Sequence, residues 1–264
     1  AIKLGFKGSC TCVVTACASA SDSIGAAFHH IRDGYSDVMA CGGAESCICE
    51  LGIGGFASMK ALSDSDDPAR ASIPFDKERS GFVMGEGSGI LILEEYEHAV
   101  KRGAKILGEI AGYGASCDAN HMTAPLEDGS GAADCMTLAI RDAGIEPCEV
   151  GYINAHGTGT PLNDKGETKA VKLAFGEHSK ELLISSTKSM TGHLLGASGA
   201  IEAVMAIKAL EDQFAPPTVG YKVPDDECDL KICPNEGVAF DSEYAMSNSL
   251  GFGGHNASLI FKRV

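Results

Sequence analysis

The stretch Val150-Gly151-Tyr152-Ile153-Asn154-Ala155-His156-Gly157-Thr158-Gly159-Thr160 reads as a short apolar strand that delivers a histidine into a glycine and threonine loop. A helix follows, capped by Asp164, carrying Val171, Ala174 and Phe175 and ended by Gly176. A second strand, Leu182 to Ser186, then leads into Lys188 and His193. Strand, helix, strand, with each histidine just past a strand end, is the pattern of an α/β protein whose strands are covered by helices.

The same alternation extends outward in both directions. Upstream, Thr11 to Ala16 is a strand candidate, and the helix after Cys17 places Ile24, Ala27, Phe28 and Ile31 on one face before Gly34 ends it. Asp37 to Ala40 and Ile90 to Leu93 are further strands, and Glu94 to Lys101 forms a helix that stops at Gly103. A second block starts near Ala104 with a strand from Lys105 to Gly114. A helix from Gly131 to Ala143 follows, burying Ala133, Met136 and Ile140 and closed by Gly144. Gly199 to Leu210 is apolar nearly all round, which marks a helix buried between layers, and Pro216 and Pro217 lie beyond it as breakers. The chain closes with a strand at Tyr244 to Asn248, the loop Gly251-Phe252-Gly253-Gly254 and a strand at Ala257 to Lys262. No low-complexity linker separates residues 1–103 from residues 104–264, so the two blocks are expected to pack as one unit.

At 264 residues, 44% of them hydrophobic, the chain can bury a sizeable core. It has no apolar run long enough to span a bilayer and no secretory signal pattern, so a soluble, cytoplasmic protein without a membrane partner is expected. It lacks an initiator Met and reads as the C-terminal portion of something longer. The formal charge of −15 excludes broad binding to nucleic acid, which needs a basic surface. Eleven cysteines at irregular spacing favour reduced thiols over a disulfide framework. Neither Cys10/Cys12 nor Cys47/Cys49 has the second pair that zinc would need. Gly85-Glu86-Gly87-Ser88-Gly89 lacks the lysine and the spacing of a phosphate loop.

Three short segments carry chemistry. Cys17 lies at a strand-to-helix junction, where free amide donors and the helix dipole lower a thiol pKa and favour a thiolate nucleophile, and position alone suits a buried structural cysteine equally. His156 precedes glycines that let a substrate approach closely. His193 sits among small residues in Thr191-Gly192-His193-Leu194-Leu195-Gly196-Ala197-Ser198. Lys188 is placed either to form a buried ion pair with Glu202 on the next helix, and so hold the histidine loops, or to stand at the surface as an ordinary lysine. The loop around Phe252 suits a gate over a pocket and a backbone donor for an oxyanion, and equally a tight turn with Phe252 in the core.

Together Thr15-Ala16-Cys17-Ala18-Ser19, Asn154-Ala155-His156-Gly157-Thr158-Gly159-Thr160, Ser185-Ser186-Thr187-Lys188-Ser189-Met190-Thr191-Gly192-His193 and Ser247-Asn248-Ser249-Leu250-Gly251-Phe252-Gly253-Gly254 closely resemble the β-ketoacyl-[acyl-carrier-protein] synthases, most of all the elongating type, synthase II. The segment from Pro74 to Gly87 fits the same family, and the resemblance spans essentially the whole chain. It implies a thiolase-like layered αβαβα fold, here the end of the first half (1–103) and a complete second half (104–264), usually in a homodimer. It implies decarboxylative Claisen condensation of an acyl thioester with malonyl-acyl-carrier protein. Cys17 is then the acylated nucleophile, His156 and His193 are the donors to the thioester oxygen, and Phe252 an oxyanion donor. Thr158, Thr160, Phe56, Gly251 and Gly253 would face the substrate, which arrives on the phosphopantetheine arm, so no cofactor is expected. Lys60 is a candidate contact for the acidic carrier protein. No catalytic metal is implied; some members hold a structural monovalent cation near the equivalents of Asn154, Glu202 and Asn248. Gly159, Ala20 and His255 depart from residues common in the family, away from the presumed chemistry. A thiolase would carry a second active cysteine near the C-terminal glycine loop, and the initiating synthases have Asn in place of His193. A polyketide synthase ketosynthase domain, or a non-catalytic partner or inactive fragment, remain the alternatives; the intact Cys17 speaks against a chain-length factor.

Overall fold

A computed structural model describes residues 1–264. In chain order the elements are α1 (Ser19–Arg32), β1 (Val38–Glu45), α2 (Glu50–Ser58), β2 (Gly87–Glu94), α3 (Tyr96–Lys101), β3 (Glu109–Cys117), α4 (Ser130–Ala143), β4 (Val150–Asn154), α5 (Pro161–Phe175), β5 (Leu183–Ser185), α6 (Lys188–Thr191), α7 (Ser198–Asp212), β6 (Phe214–Ala215), β7 (Val238–Ala239), β8 (Tyr244–Gly251) and β9 (His255–Lys262). The main sheet has the order β3-β9-β8-β4-β5. In it β4 runs parallel to β5 and β8, while β9 is antiparallel to both of its neighbours. β1 and β2 form a separate antiparallel pair, and β6 with β7 a third, two-residue one.

Period-two alternation decides which residues face which layer. From β8, Ala245 joins a cluster with Ala20, Ile24 and Ala27 of α1, Ala200, Ala203 and Ala206 of α7, and Cys41 and Leu91 of the small sheet. Its neighbour Met246 points the other way, into a cluster with Met136 and Ile140 of α4 and Val171 and Phe175 of α5. The layers therefore run small sheet, α1 with α7, main sheet, α4 with α5. α7 is buried on two sides, and its alanines let the sheets approach; a Cβ on Gly89 would lie 2.9 Å from Ala200 Cβ.

Most helix ends are where turn chemistry puts them. Gly34, Gly103 and Gly144 stop α1, α3 and α4 at φ of 77°, 69° and 67°. Three expectations change. Thr11 to Ala16 is irregular and largely exposed, because no strand of this chain pairs with it and a lone extended segment has nothing to satisfy its backbone. α2 was not anticipated, since Gly52, Gly54 and Gly55 break its pattern and it buries no residue. Asp164 does not cap α5: Thr160 is the cap and Pro161 opens the helix, while Asp164 turns inward to accept Phe75 N–H at 2.7 Å and Gly159 N–H at 3.2 Å.

The segment around Pro74 to Arg79 is tied down by a buried carboxylate. Asp76 accepts from Arg70 Nη1 at 2.9 Å, Lys222 N at 2.6 Å, Val223 N at 2.9 Å and Glu78 N at 2.9 Å. Burial alone would raise this carboxyl, but the Arg70 guanidinium and the three amides outweigh it and hold it at about 2. A folded pKa below the unfolded one gives stability that is present above the unfolded value and is lost as pH falls through the folded one. Asp76→Asn is expected to cost about 2 kcal/mol near neutral pH in the full-length protein. Urea unfolding should show the gap between parent and variant closing as pH drops from about 4 towards 2; a constant gap would remove this role from Asp76.

Candidate active site

Cys17 is presented by a strained turn. Ala16 has φ of 50°, a left-handed value that costs a residue with a Cβ about 1 kcal/mol. The turn persists because Thr15 N–H donates to Ser19 Oγ at 2.9 Å and Ala18 N–H to Thr15 O at 3.0 Å. Cys17 thus sits in a 3-10 turn, Ala16–Ala18, that runs into α1. Gly251 closes over it: a Cβ there would meet Thr15 O at 3.0 Å and Cys17 N at 3.2 Å, so glycine is what lets the β8–β9 turn approach the thiol.

The expected acidic thiol is not what the surroundings produce. Burial pushes Cys17 up to about 11, against the opposing pull of the Lys188 charge and of backbone N–H groups of Phe252 and Cys17. A helix dipole is worth about 0.3–1 kcal/mol, less than one pK unit, and cannot offset the loss of water around a thiol that is 9% exposed. At rest the group is a neutral thiol, because burial outweighs the Lys188 charge and the backbone N–H groups that favour its thiolate.

His156 and His193 meet edge to face, ring centroids 5.2 Å apart. Both are held well below the usual imidazole range by burial first and by the Lys188 charge second, so both are neutral near pH 7. The Lys188 ammonium lies 3.3 Å from His156 Nδ1 and pairs with Glu202, both members of that pair being buried. An ammonium only donates, so His156 Nδ1 accepts and its proton is on Nε2. His193 Nδ1 contacts Ser198 Oγ at 2.9 Å.

Cys17, His156, His193 and Phe252 line one cavity of about 350 Å3, together with Phe56, Lys60, Thr158, Thr160 and Gly251. Phe56 stands 6.4 Å from Phe252, ring to ring, and Thr158 and Thr160 hydroxyls are 3.0 Å apart. Gly253 is not on that wall; its N–H donates to Met122 O at 2.8 Å, anchoring the turn that carries Phe252. Lys188, Asn154, Glu202 and Asn248 lie behind the histidines, outside the wall. Asn154 exchanges hydrogen bonds with Thr187, and Asn248 accepts from Ser258 at 2.8 Å.

Several positioning groups escape a reading of the sequence. Glu167 accepts the His156 and Gly157 amides, each at 2.8 Å, and burial raises its carboxyl to about 7 despite those donors. The signal for it was a pair of acids, Asp164 and Glu167, on the buried face of α5. Val83 O takes the His193 amide at 2.7 Å and Gly85 N–H donates to His193 O at 2.9 Å, a two-bond clamp between segments 108 residues apart in sequence that no local pattern reveals. Phe82 stands edge-on to His193 at 5.2 Å.

Comparisons with known proteins meet this geometry from outside. Residues 1–99 match the model described as Beta-ketoacyl synthase, N-terminal domain, and residues 107–222 the one described as Beta-ketoacyl synthase, C-terminal domain. The chain is 55% identical, over all 264 residues, to 3-oxoacyl-[acyl-carrier-protein] synthase 2 of Synechocystis sp., of which it covers 64%. It is 53% identical over 262 residues to the protein of that name from Staphylococcus aureus, covering 99% of this chain and 63% of that one. The chain thus spans about 64% of the length of the curated relatives it matches. Among solved structures, a type II PKS ketosynthase in complex with its acyl-carrier protein superposes with a TM-score of 0.98 at 43% identity, covering 100% of this chain and 65% of that one. A Beta-ketoacyl synthase from Burkholderia phymatum gives 0.91 at 42% identity, over 96% of this chain and 61% of the other. The fold is thiolase-like, and the chain belongs to the beta-ketoacyl synthase family.

Proposed function

We propose that the full-length protein condenses an acyl thioester with malonyl-acyl-carrier protein to give 3-oxoacyl-acyl-carrier protein, as in fatty acid elongation. The observation that carries this reading is the sharing of one cavity by a thiol and two neutral imidazoles. The names of the relatives support the substrate class. The carrier-protein complex of a structural neighbour supports the partner, with exposed Lys60 at the cavity a candidate contact for its acidic surface. A polyketide chain is the second reading, favoured by that same neighbour. We further place the protein in the cytosol as a homodimer, on its eleven free thiols and on the family resemblance.

In the first half-reaction the Cys17 sulfur attacks the acyl carbon and the carrier's sulfur leaves with the proton. Amides of Cys17 and Phe252 stabilise the oxyanion formed on the way. The acyl group then stays on Cys17 while malonyl-carrier protein enters. Loss of carbon dioxide leaves its electron pair on the thioester enolate, whose oxygen receives hydrogen bonds from the two imidazoles. The carbanion attacks acyl-Cys17, expels the thiolate, which takes up a proton, and releases the 3-oxoacyl product. Neutral rings suit this step, since a hydrogen-bond donor is needed and no net charge has to be buried. Glu202 Oε2 and Ser247 Oγ are buried without hydrogen-bond partners, and with Asn154 and Asn248 they are the groups that would hold a structural monovalent cation of the kind some family members carry.

Cys17→Ala in the full-length protein is expected to abolish condensation while malonyl decarboxylation stays measurable, because only acyl transfer needs the thiol; condensation at the parental rate ends the proposal. Supplying long-chain acyl and poly-β-ketoacyl carrier proteins in parallel, with mass spectrometry of acyl-Cys17, separates the two substrate classes. Alkylation of Cys17 by iodoacetamide should rise about tenfold per pH unit from about pH 7 to pH 10, as a thiol pushed to about 11 requires. A plateau by about pH 8 would contradict the burial argument.

A further inference from the structure

Ser198 opens α7 and is 1% exposed. Its Oγ meets Leu194 N–H at 2.8 Å and His193 Nδ1 at 2.9 Å. The amide can only donate, so the hydroxyl oxygen accepts there. The hydroxyl hydrogen then has one acceptor in reach, the imidazole Nδ1. We infer that Ser198 is a positioning residue which donates to His193 Nδ1 and thereby holds that ring with its proton on Nε2, the nitrogen left for the cavity. The reverse arrangement, Nδ1–H donating to Oγ, strands the buried hydroxyl hydrogen without an acceptor, a loss larger than the hydrogen bond it would replace.

The backbone builds this contact. Leu195, at φ of 45°, reverses the chain after His193 so that the residue five positions on comes back over the ring. The two histidines are then set to the same tautomer by different donors, an ammonium for His156 and a hydroxyl for His193. The difference matters: a second buried ammonium would add an unpaired charge beside Lys188, and a hydroxyl orients the ring without one.

This inference rests on the condensing reading for its kinetic consequence but not for its structural one. The test uses full-length protein carrying 15N-labelled histidine, with the His193 signals identified by their loss in His193→Gln. In the parent, Nδ1 should resonate as an unprotonated nitrogen and Nε2 as a protonated one. Ser198→Ala should shift His193 to a mixture of tautomers, and Ser198→Thr, which keeps the hydroxyl, should restore the parental spectrum. With malonyl-carrier protein as substrate, in the Cys17→Ala background, kcat for decarboxylation should fall about five- to tenfold in Ser198→Ala with KM unchanged, and recover in Ser198→Thr. A parental Nδ1–H, an unchanged tautomer in Ser198→Ala, or an unchanged kcat overturns the inference. A parent that neither decarboxylates nor condenses would instead count against the proposed function, leaving the spectra to decide the tautomer.

Discussion

The buried ion pair between Lys188 and Glu202 is the constraint on which the site depends. Two charges removed from water cost several kcal/mol each, and their attraction offsets this only when remaining donors also find partners. Lys188 supplies that completion by reaching His156 Nδ1. The pair also locks the start of α6 to α7, the helix whose first residue contacts His193. One interaction thus ties together the two loops that carry the imidazoles, and its charge helps keep both rings neutral.

The layered fold makes such a pair tolerable. α7 is flanked by sheets on both sides, and its small side chains bring backbone close to backbone. Water is excluded there, which raises the cost of every polar group. The polar groups that remain are nearly all hydrogen-bonded, from the amides taken by Glu167 to those taken by Asp76. The same exclusion of water explains why Cys17 is a weak acid despite its helix and its amide donors.

Much of this was legible in the chain. The strand from Val150, expected to reach Ala155 and ending at Asn154, the two-sided helix expected over Gly199 to Leu210 and found over Ser198–Asp212, and the glycine stops follow from local pattern, because periodicity and left-handed turns are local properties. The thiol and the two imidazoles that meet at one cavity were legible through the resemblance of four motifs. What stayed hidden was non-local. The clamp of Val83 and Gly85 on His193 joins distant segments. The pKa of Cys17 depends on what covers it, which spacing does not state. Residues 11–16 have the composition of a strand, and only the absence of a neighbouring strand in this chain leaves them irregular. α2 went the other way, adopting a helix despite three glycines.

Gly251 seats closely on the turn that carries Cys17. The amide that favours a thiolate on Cys17 belongs to Phe252, inside the hairpin that also walls the cavity. The same hairpin therefore acts on the sulfur in two opposed ways: it offers a backbone donor that lowers the thiol pKa, and it is part of the cover whose exclusion of water raises that pKa further still.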